Sequence, residues 1–227
     1  MWKSYHIYKT DYNEFLSKVE YLKKNFIEGS NAIFFTLYTD MKGPHFRLRI
    51  RSSCIRNDIQ ISKELIKVFT NKSIEERIYD PEVIKYGKNL QAYEHFSTVI
   101  CDFLITNKNY SVHKIETVNL ILGLMKNILE EFDLYSVTQI EDSIDFWSNS
   151  KNFFRASIDQ HMYSQLNPVF YFSEFIKDFV KGLCISTASE SKELCFNLIH
   201  LAVNRFNFNL KDECLLYYKL YELKEEK

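Results

Sequence analysis

Hydrophobic and polar positions alternate strictly from His45 to Arg51, where Phe46, Leu48 and Ile50 interleave with His45, Arg47, Arg49 and Arg51. A period of two is that of a strand, so the apolar and cationic side chains fall on opposite faces. Ala32 to Asp40 just before it is apolar and aromatic-rich, and Lys42-Gly43-Pro44 separates the two runs, predicting a hairpin. Ser4 to Lys9 alternates as another strand. Asp11 is placed to cap an amphipathic helix carrying Phe15, Leu16, Val19, Leu22 and Phe26 inward, which Gly29 ends. Asp58 is placed to cap a second helix in which Ile61, Leu65, Ile66 and Phe69 share a face, and Ile74 to Tyr79 reads as a fourth strand. The order strand, helix, strand, strand, helix, strand is that of a ferredoxin-like split βαβ unit.

Beyond Pro81 the alternation fades. Helical periodicity takes over in Leu90 to Ile105, Lys114 to Glu131, Val137 to Trp147, Ser173 to Leu183, Ser189 to Phe206 and Lys211 to Leu223. The expected fold class is therefore α+β. A ferredoxin-like antiparallel sheet with two helices occupies residues 1–80 and a mainly helical part residues 81–227, together making one domain. Asn149 to Pro168, rich in Asn, Ser, Gln and aromatics, breaks the pattern and reads as a lid over a site or as an ordinary surface connection.

The chain has 227 residues, 46% of them hydrophobic and 16% aromatic, which is enough for a substantial core. A formal charge of -1 argues against non-specific nucleic-acid binding, which needs a broad basic surface, while leaving room for a local anion site. Cys54, Cys101, Cys184, Cys195 and Cys214 are scattered and odd in number, the pattern of reduced, mostly buried thiols in a cytoplasmic protein. No apolar run has the length of a membrane span or a signal segment, so neither export nor an anchor is expected. His and Cys lack ligand spacing and no Gly-rich nucleotide loop is present, so no metal and no cofactor are expected.

The cationic face of the hairpin carries the candidate chemistry. Side chains at i and i+2 of a strand stand about 6–7 Å apart, so guanidiniums in a row repel unless an anion or carboxylates lie between them. Two readings are open: a solvated face with Arg tips in water, or a pocket in which Arg forks grip a carboxylate or phosphate.

Three separated stretches resemble one family, the thiopeptide-type bacteriocin biosynthesis proteins, which include the C-terminal elimination domain of nisin-type lantibiotic dehydratases. FFTLYTDMKGPHFRLRIR (Phe34 to Arg51) is similar to the family's paired strands ending in Pro-His and alternating Arg. YDPEVIKYGKN (Tyr79 to Asn89) resembles its acidic Tyr-Gly segment, and LIHLAVNRFNFNLKDE (Leu198 to Glu213) its terminal His and Asn-Arg helix. The resemblance implies maturation of a ribosomally made precursor peptide, leader and core. A partner enzyme esterifies Ser or Thr with glutamate from glutamyl-tRNA, and the elimination protein removes the glutamate to leave dehydroalanine or dehydrobutyrine. A sister branch instead joins two dehydroalanines by [4+2] cycloaddition into a pyridine macrocycle and expels the leader.

Carried over by resemblance, the catalytic role falls on Arg47, Arg49, Glu82 and His200, with Arg51, Lys85 and His45 contributing to substrate binding. β-Elimination needs a base for the Cα proton and a cationic site for the departing carboxylate, and these residue types supply both. Each residue also has a plainer reading. His200 among Leu194, Leu198 and Leu201 suits a hydrogen-bonded core histidine, Glu82 after a Pro suits a helix start, Asn204-Arg205 a structural pair and Gly87 a turn with positive φ. Lys85 stands where the family usually has Arg, Leu37 where the first strand carries Arg, Lys88 in place of a second Gly and Ala202 in place of a second His. These departures leave the pyridine synthase and a non-catalytic precursor-binding subunit as alternatives. No nucleic-acid or membrane partner is expected.

Overall fold

A computed structural model describes residues 2–26, 32–51, 55–70, 73–80, 86–107, 110, 114–149 and 158–225. The chain divides into two compact units, Met1–Asn109 and Tyr110–Lys227.

The first unit holds a four-stranded antiparallel sheet of β1 (Trp2–Tyr8), β2 (Ala32–Asp40), β3 (Gly43–Arg51) and β4 (Ile74–Arg77), in the order β2-β3-β1-β4. This is the ferredoxin-like arrangement expected from the order of elements. The hairpin closes on two residues, Met41 and Lys42, with Asp40 opposite Gly43 at φ +107°, a conformation natural to glycine. Asp40 fixes the turn by accepting the Lys42 N–H at 2.8 Å.

One sheet face packs helices α1 (Tyr12–Phe26) and α2 (Ile55–Phe69). Asp11 caps α1 as its sequence position suggests, accepting from Glu14 N–H at 2.9 Å. Phe15, Leu16, Val19 and Leu22 are buried, and Phe15 stacks on Phe46 of β3 at 3.9 Å between ring centres. In α2, Ile61, Leu65 and Phe69 are buried as expected, whereas Ile66 is 43% exposed. Ile66 follows Leu65 by one position, about 100° round the helix, which carries it off the stripe. Asp58 does not cap α2, because the helix already starts at Ile55. Gly29, Cys54 and the side chain of Phe26 lie outside the described residues. A third helix, α3 (Leu90–Thr106), packs on β2, and there Cys101 Sγ accepts the Phe35 N–H at 3.3 Å. That contact occupies part of an edge strand that would otherwise offer its backbone to another chain.

The second unit is helical: α4 (Ile115–Glu131), α5 (Val137–Asn149), α6 (Gln160–Ser164), α7 (Ser173–Lys181), α8 (Ala188–Arg205) and α9 (Leu210–Glu225). Of the irregular stretch 149–168, residues 160–164 form the short α6, while 150–157 lie outside the described residues. Cys195 and Cys214 are buried with Cys101, but Cys184 is exposed. Among the described residues no helix is long and apolar enough to cross a membrane.

Gly123 of α4 is spanned by the chain at Val169, whose N–H donates to Asn119 O at 2.9 Å. A Cβ at Gly123 would lie 2.1 Å from the Val169 carbonyl oxygen. A helical Gly→Ala change ordinarily stabilises by about 1 kcal/mol. Here the sign reverses: Gly123→Ala is expected to cost about 1–3 kcal/mol by overpacking and to lower the thermal midpoint, measurable by circular dichroism.

Candidate functional site

β3 is buried on its apolar face and in part on its cationic face, where Arg47 is half-buried and Arg51 exposed. Phe46, Leu48 and Ile50 face α1 and α2, while His45 (4% exposed) and Arg49 (7%) are buried on the opposite side. The register places Ser4, Arg49 and Phe34 in one cross-strand row, His6, Arg47 and Thr36 in the next, and Tyr8, His45 and Tyr38 in a third. Arg77 of β4 joins the first row beside Ser4.

Aromatic rings accommodate the guanidiniums. Arg47 lies on Tyr38 with its guanidinium carbon 3.3 Å from the ring centre, Arg49 is 5.5 Å from both Phe34 and Tyr79, and Arg51 is 5.1 Å from Trp2. The negative face of each ring offsets part of the cationic charge. Arg49 also donates to Thr36 Oγ1 at 3.3 Å and to the Arg47 carbonyl at 3.1 Å. Tyr79 is itself anchored, donating to the buried Glu94 at 2.8 Å; burial and then that carboxylate push the phenol well above its ordinary range. Arg47, by contrast, has no carboxylate partner among the described residues, and its Nε is buried without a hydrogen bond.

Arg47 and Arg49 line an open depression of about 560 Å³ with Ser4, His6, Asp40, Glu76, Arg77, Ile78 and Asp80. The His6 ring stacks on His45 at 4.7 Å. Burial, followed by the charges of His45, Arg47, Arg77 and Arg49, lowers the His6 pKa to about 4. His6, Asp40 and His45 bring ligand-capable atoms within 4.8 Å of one another, yet the surrounding guanidiniums repel a divalent cation as they repel a proton.

In the second unit, His200 is built by a helix stop and a helix start. Asn207, at φ +64°, ends α8 in the left-handed region, with Phe208 N–H donating to Val203 O at 3.2 Å and Asn207 N–H to Asn204 O at 2.9 Å. Asn209 then caps α9, accepting from Lys211 and Asp212 N–H at 2.9 and 3.2 Å, while Asp212 accepts the Asn209 N–H at 3.1 Å. This tight turn brings Glu213 back onto His200, whose Nδ1–H donates to Glu213 Oε2 at 2.9 Å. Glu213 is fully buried, and that burial raises its pKa against the opposing pull of His200. Trp147 of α5 stacks on the imidazole at 5.2 Å.

Residues 2–223 match the family model described as lantibiotic biosynthesis dehydratase, C-terminal. The chain belongs to this family. Three solved structures share the fold of this lantibiotic dehydratase C-terminal chain. The tRNA-dependent lantibiotic dehydratase MibB of Microbispora sp. 107891 is similar at TM-score 0.62 and 15% identity, over 100% of this chain and 28% of that one. TsrL is similar at TM-score 0.62 and 10% identity, over 100% of this chain and 95% of that one. The pyridine synthase TbtD from thiomuracin biosynthesis gives 0.52 and 10%, over 99% and 98%. The chain thus spans little more than a quarter of MibB. No curated protein sequence matches it.

Of the residues expected from sequence, Arg47 and Arg49 line the depression, with His45 and Arg51 on the same strand face. Glu82 and Lys85 lie outside the described residues, and His200 stands in the second unit. Gly87 has the positive φ expected of it, +47°. The family member also carries groups the sequence reading passed over: His6, Arg77, the Tyr79–Glu94 pair and Glu213. His6 was signalled by the alternation of β1, and Glu213 by the cap-like spacing after Asn209.

The depressed His6 has a consequence for stability. Its ordinary pKa of about 6.5 governs the unfolded chain, so between there and about 4 the unfolded state holds a proton that the folded state does not. The contribution of His6 is therefore complete above pH ~6.5 and is lost as pH falls toward 4. Denaturant unfolding from pH 7 to 4.5 should show a decline that is shallower in His6→Gln, and equal slopes would contradict the assignment.

Proposed function

We propose that this family member carries out the glutamate-elimination step in maturation of a ribosomally made, lantibiotic-type precursor peptide. The observation that carries the reading is the aromatic-backed pair Arg47 and Arg49 in an open depression, with Arg47 left without a carboxylate among the described residues. In the proposed reaction the substrate is a Ser or Thr esterified by glutamate. A base takes the Cα proton, the Cβ–O bond breaks, and glutamate departs as a carboxylate of the kind that Arg47 and Arg49 bind; the family resemblance assigns the base to His200, whose Nε2 is the ring nitrogen not bonded to Glu213. The product is dehydroalanine or dehydrobutyrine. Glu213 holds the imidazole with Nε2 outward and stabilises it once protonated, and Trp147 fixes the ring plane. The implied partner is a glutamylating enzyme that acts first.

The fold likeness to TbtD and the substitutions at Leu37 and Ala202 keep the pyridine-forming cyclase as the second reading. Two features weigh against it. Leu37 pairs with Phe46 and so belongs to the helix-covered face, away from the arginines. Ala202 is fully buried two residues after His200, about 200° round α8, so neither substitution removes a group from the two sites described.

Precursor peptide co-produced with the glutamylating partner and this protein should emerge dehydrated and free of glutamate by mass spectrometry. His200→Ala should slow elimination by about 10²–10⁴-fold and Arg47→Ala by about 10²–10³-fold, glutamylated peptide accumulating in both. Glu213→Gln should give an intermediate loss without loss of helical signal. Wild-type protein that leaves glutamyl adducts untouched refutes elimination. A macrocycle formed from a peptide already bearing two dehydroalanines would select the cyclase, and maturation unchanged in the Arg47→Ala/His200→Ala double variant would select a non-catalytic subunit.

A further inference from the structure

The elimination reading assigns no role to the stacked imidazoles of His6 and His45, although they sit against the arginines. His45 Nδ1–H donates to Gly43 O at 3.1 Å, which leaves its Nε2 buried and without a partner. His6 Nδ1 and Arg47 Nε are likewise buried and unpartnered. Three nitrogen sites thus lie unmatched beside a depression lined by three guanidiniums, those of Arg47, Arg49 and Arg77.

The groups facing His6 are His45, Arg47 and Arg49 from β3, Arg77 and Glu75 from β4, Asp40 from the end of β2, and Tyr8 on its own strand. The two carboxylates among them are already engaged. Asp40 accepts from the Tyr8 hydroxyl at 3.0 Å and from Lys42 N–H at 2.8 Å, and Glu75 pairs with Lys42 and Arg77. The depression also carries the carboxylates of Glu76, which pairs with Lys3, and Asp80, but the charges that dominate at His6 are those of His45, Arg47, Arg77 and Arg49, so the field there is cationic. A carboxylate on Arg47 and Arg49 reverses that field and offers an acceptor to a protonated ring.

We propose that His6, stacked on His45, is the proton-accepting part of this anion site, so that a carboxylate ligand of the glutamate class binds together with one proton taken from solvent by the His6 imidazole. The proton balances the charge of a second carboxylate, and the site thereby favours dicarboxylates over monocarboxylates. The inference rests on the depression being a carboxylate site, but not on the elimination step.

Calorimetric titration of the full chain with glutamate, glutarate and butyrate at pH 6, in two buffers of different ionisation enthalpy, counts the protons taken up. Glutamate and glutarate should each bind with uptake approaching about one proton, and their affinity should rise up to about tenfold per unit of pH lowered between 8 and 6. The His6 ring carbon-bound protons should shift to the imidazolium position in NMR spectra as glutarate is added, a readout independent of any variant. His6→Gln should bind glutarate more weakly at pH 6, without proton uptake and with an affinity independent of pH between 8 and 6, and butyrate should bind the native protein more weakly than glutarate does. Glutarate binding without proton uptake, uptake undiminished in His6→Gln, no binding of either dicarboxylate, or coupled binding of inorganic phosphate alone would each overturn the proposal. Coupled dicarboxylate binding by a protein that fails to eliminate glutamate would uphold it while refuting the elimination reading.

Discussion

The first unit depends on placing guanidiniums against aromatic faces within a sheet. Bare arginines in successive rows of a half-buried strand face repel one another and lose hydration. Tyr38, Phe34, Tyr79 and Trp2 offset part of that cost, each contact contributing about 0.5–2 kcal/mol depending on desolvation. Arg47, 3.3 Å from the Tyr38 ring centre, is the one of these guanidiniums in close stacking contact with its ring. A carboxylate partner would neutralise the same charge while occupying the guanidinium N–H donors. Aromatic backing thus preserves the capacity of Arg47, which has no carboxylate partner among the described residues, to bind an anion.

The arrangement is tied into the fold at both ends. At the hairpin, Asp40 caps its own turn while taking the Tyr8 hydroxyl, so the residue that closes β2 onto β3 also braces β1. At the other end the Tyr79 ring under Arg49 is held by Glu94 of α3, a helix that also covers part of the β2 edge. Displacing α3 would therefore disturb the aromatic wall as well as the sheet. That coupling is a physical reason for a helix beyond β4 to belong with the ferredoxin-like core.

Much of this was legible in the sequence because it depends on period and on turn chemistry. The two-residue period of His45 to Arg51 separates Phe46, Leu48 and Ile50 from the arginines, and helical periodicity locates α3 to α5 and α7 to α9 to within a few residues at their ends. What could not be read is what lies across from each residue. Nothing local says that Tyr38 receives Arg47, that His6 stacks on His45, or that Tyr79 reaches Glu94, since these follow from strand order and register. The sequence likewise shows which residues share the cationic face, but not that Arg49 is more deeply buried than Arg47. Burial of a strand face is decided by elements distant in the chain.

The second unit reverses the electrostatic problem, since it buries a carboxylate with a single imidazole as its hydrogen-bonded base. Burial raises the Glu213 pKa by disfavouring the carboxylate, and the hydrogen bond from His200 opposes that effect. The turn at Asn207 and Asn209 makes the pairing directional. It delivers Glu213 to the Nδ1 side of the ring, so Nε2 is the nitrogen left to exchange protons with anything outside the pair. A looser connection between α8 and α9 would let the carboxylate meet either nitrogen. The Asn-rich turn is therefore as much a determinant of His200 chemistry as the histidine itself, because helix-capping geometry selects the atom that can act as a base.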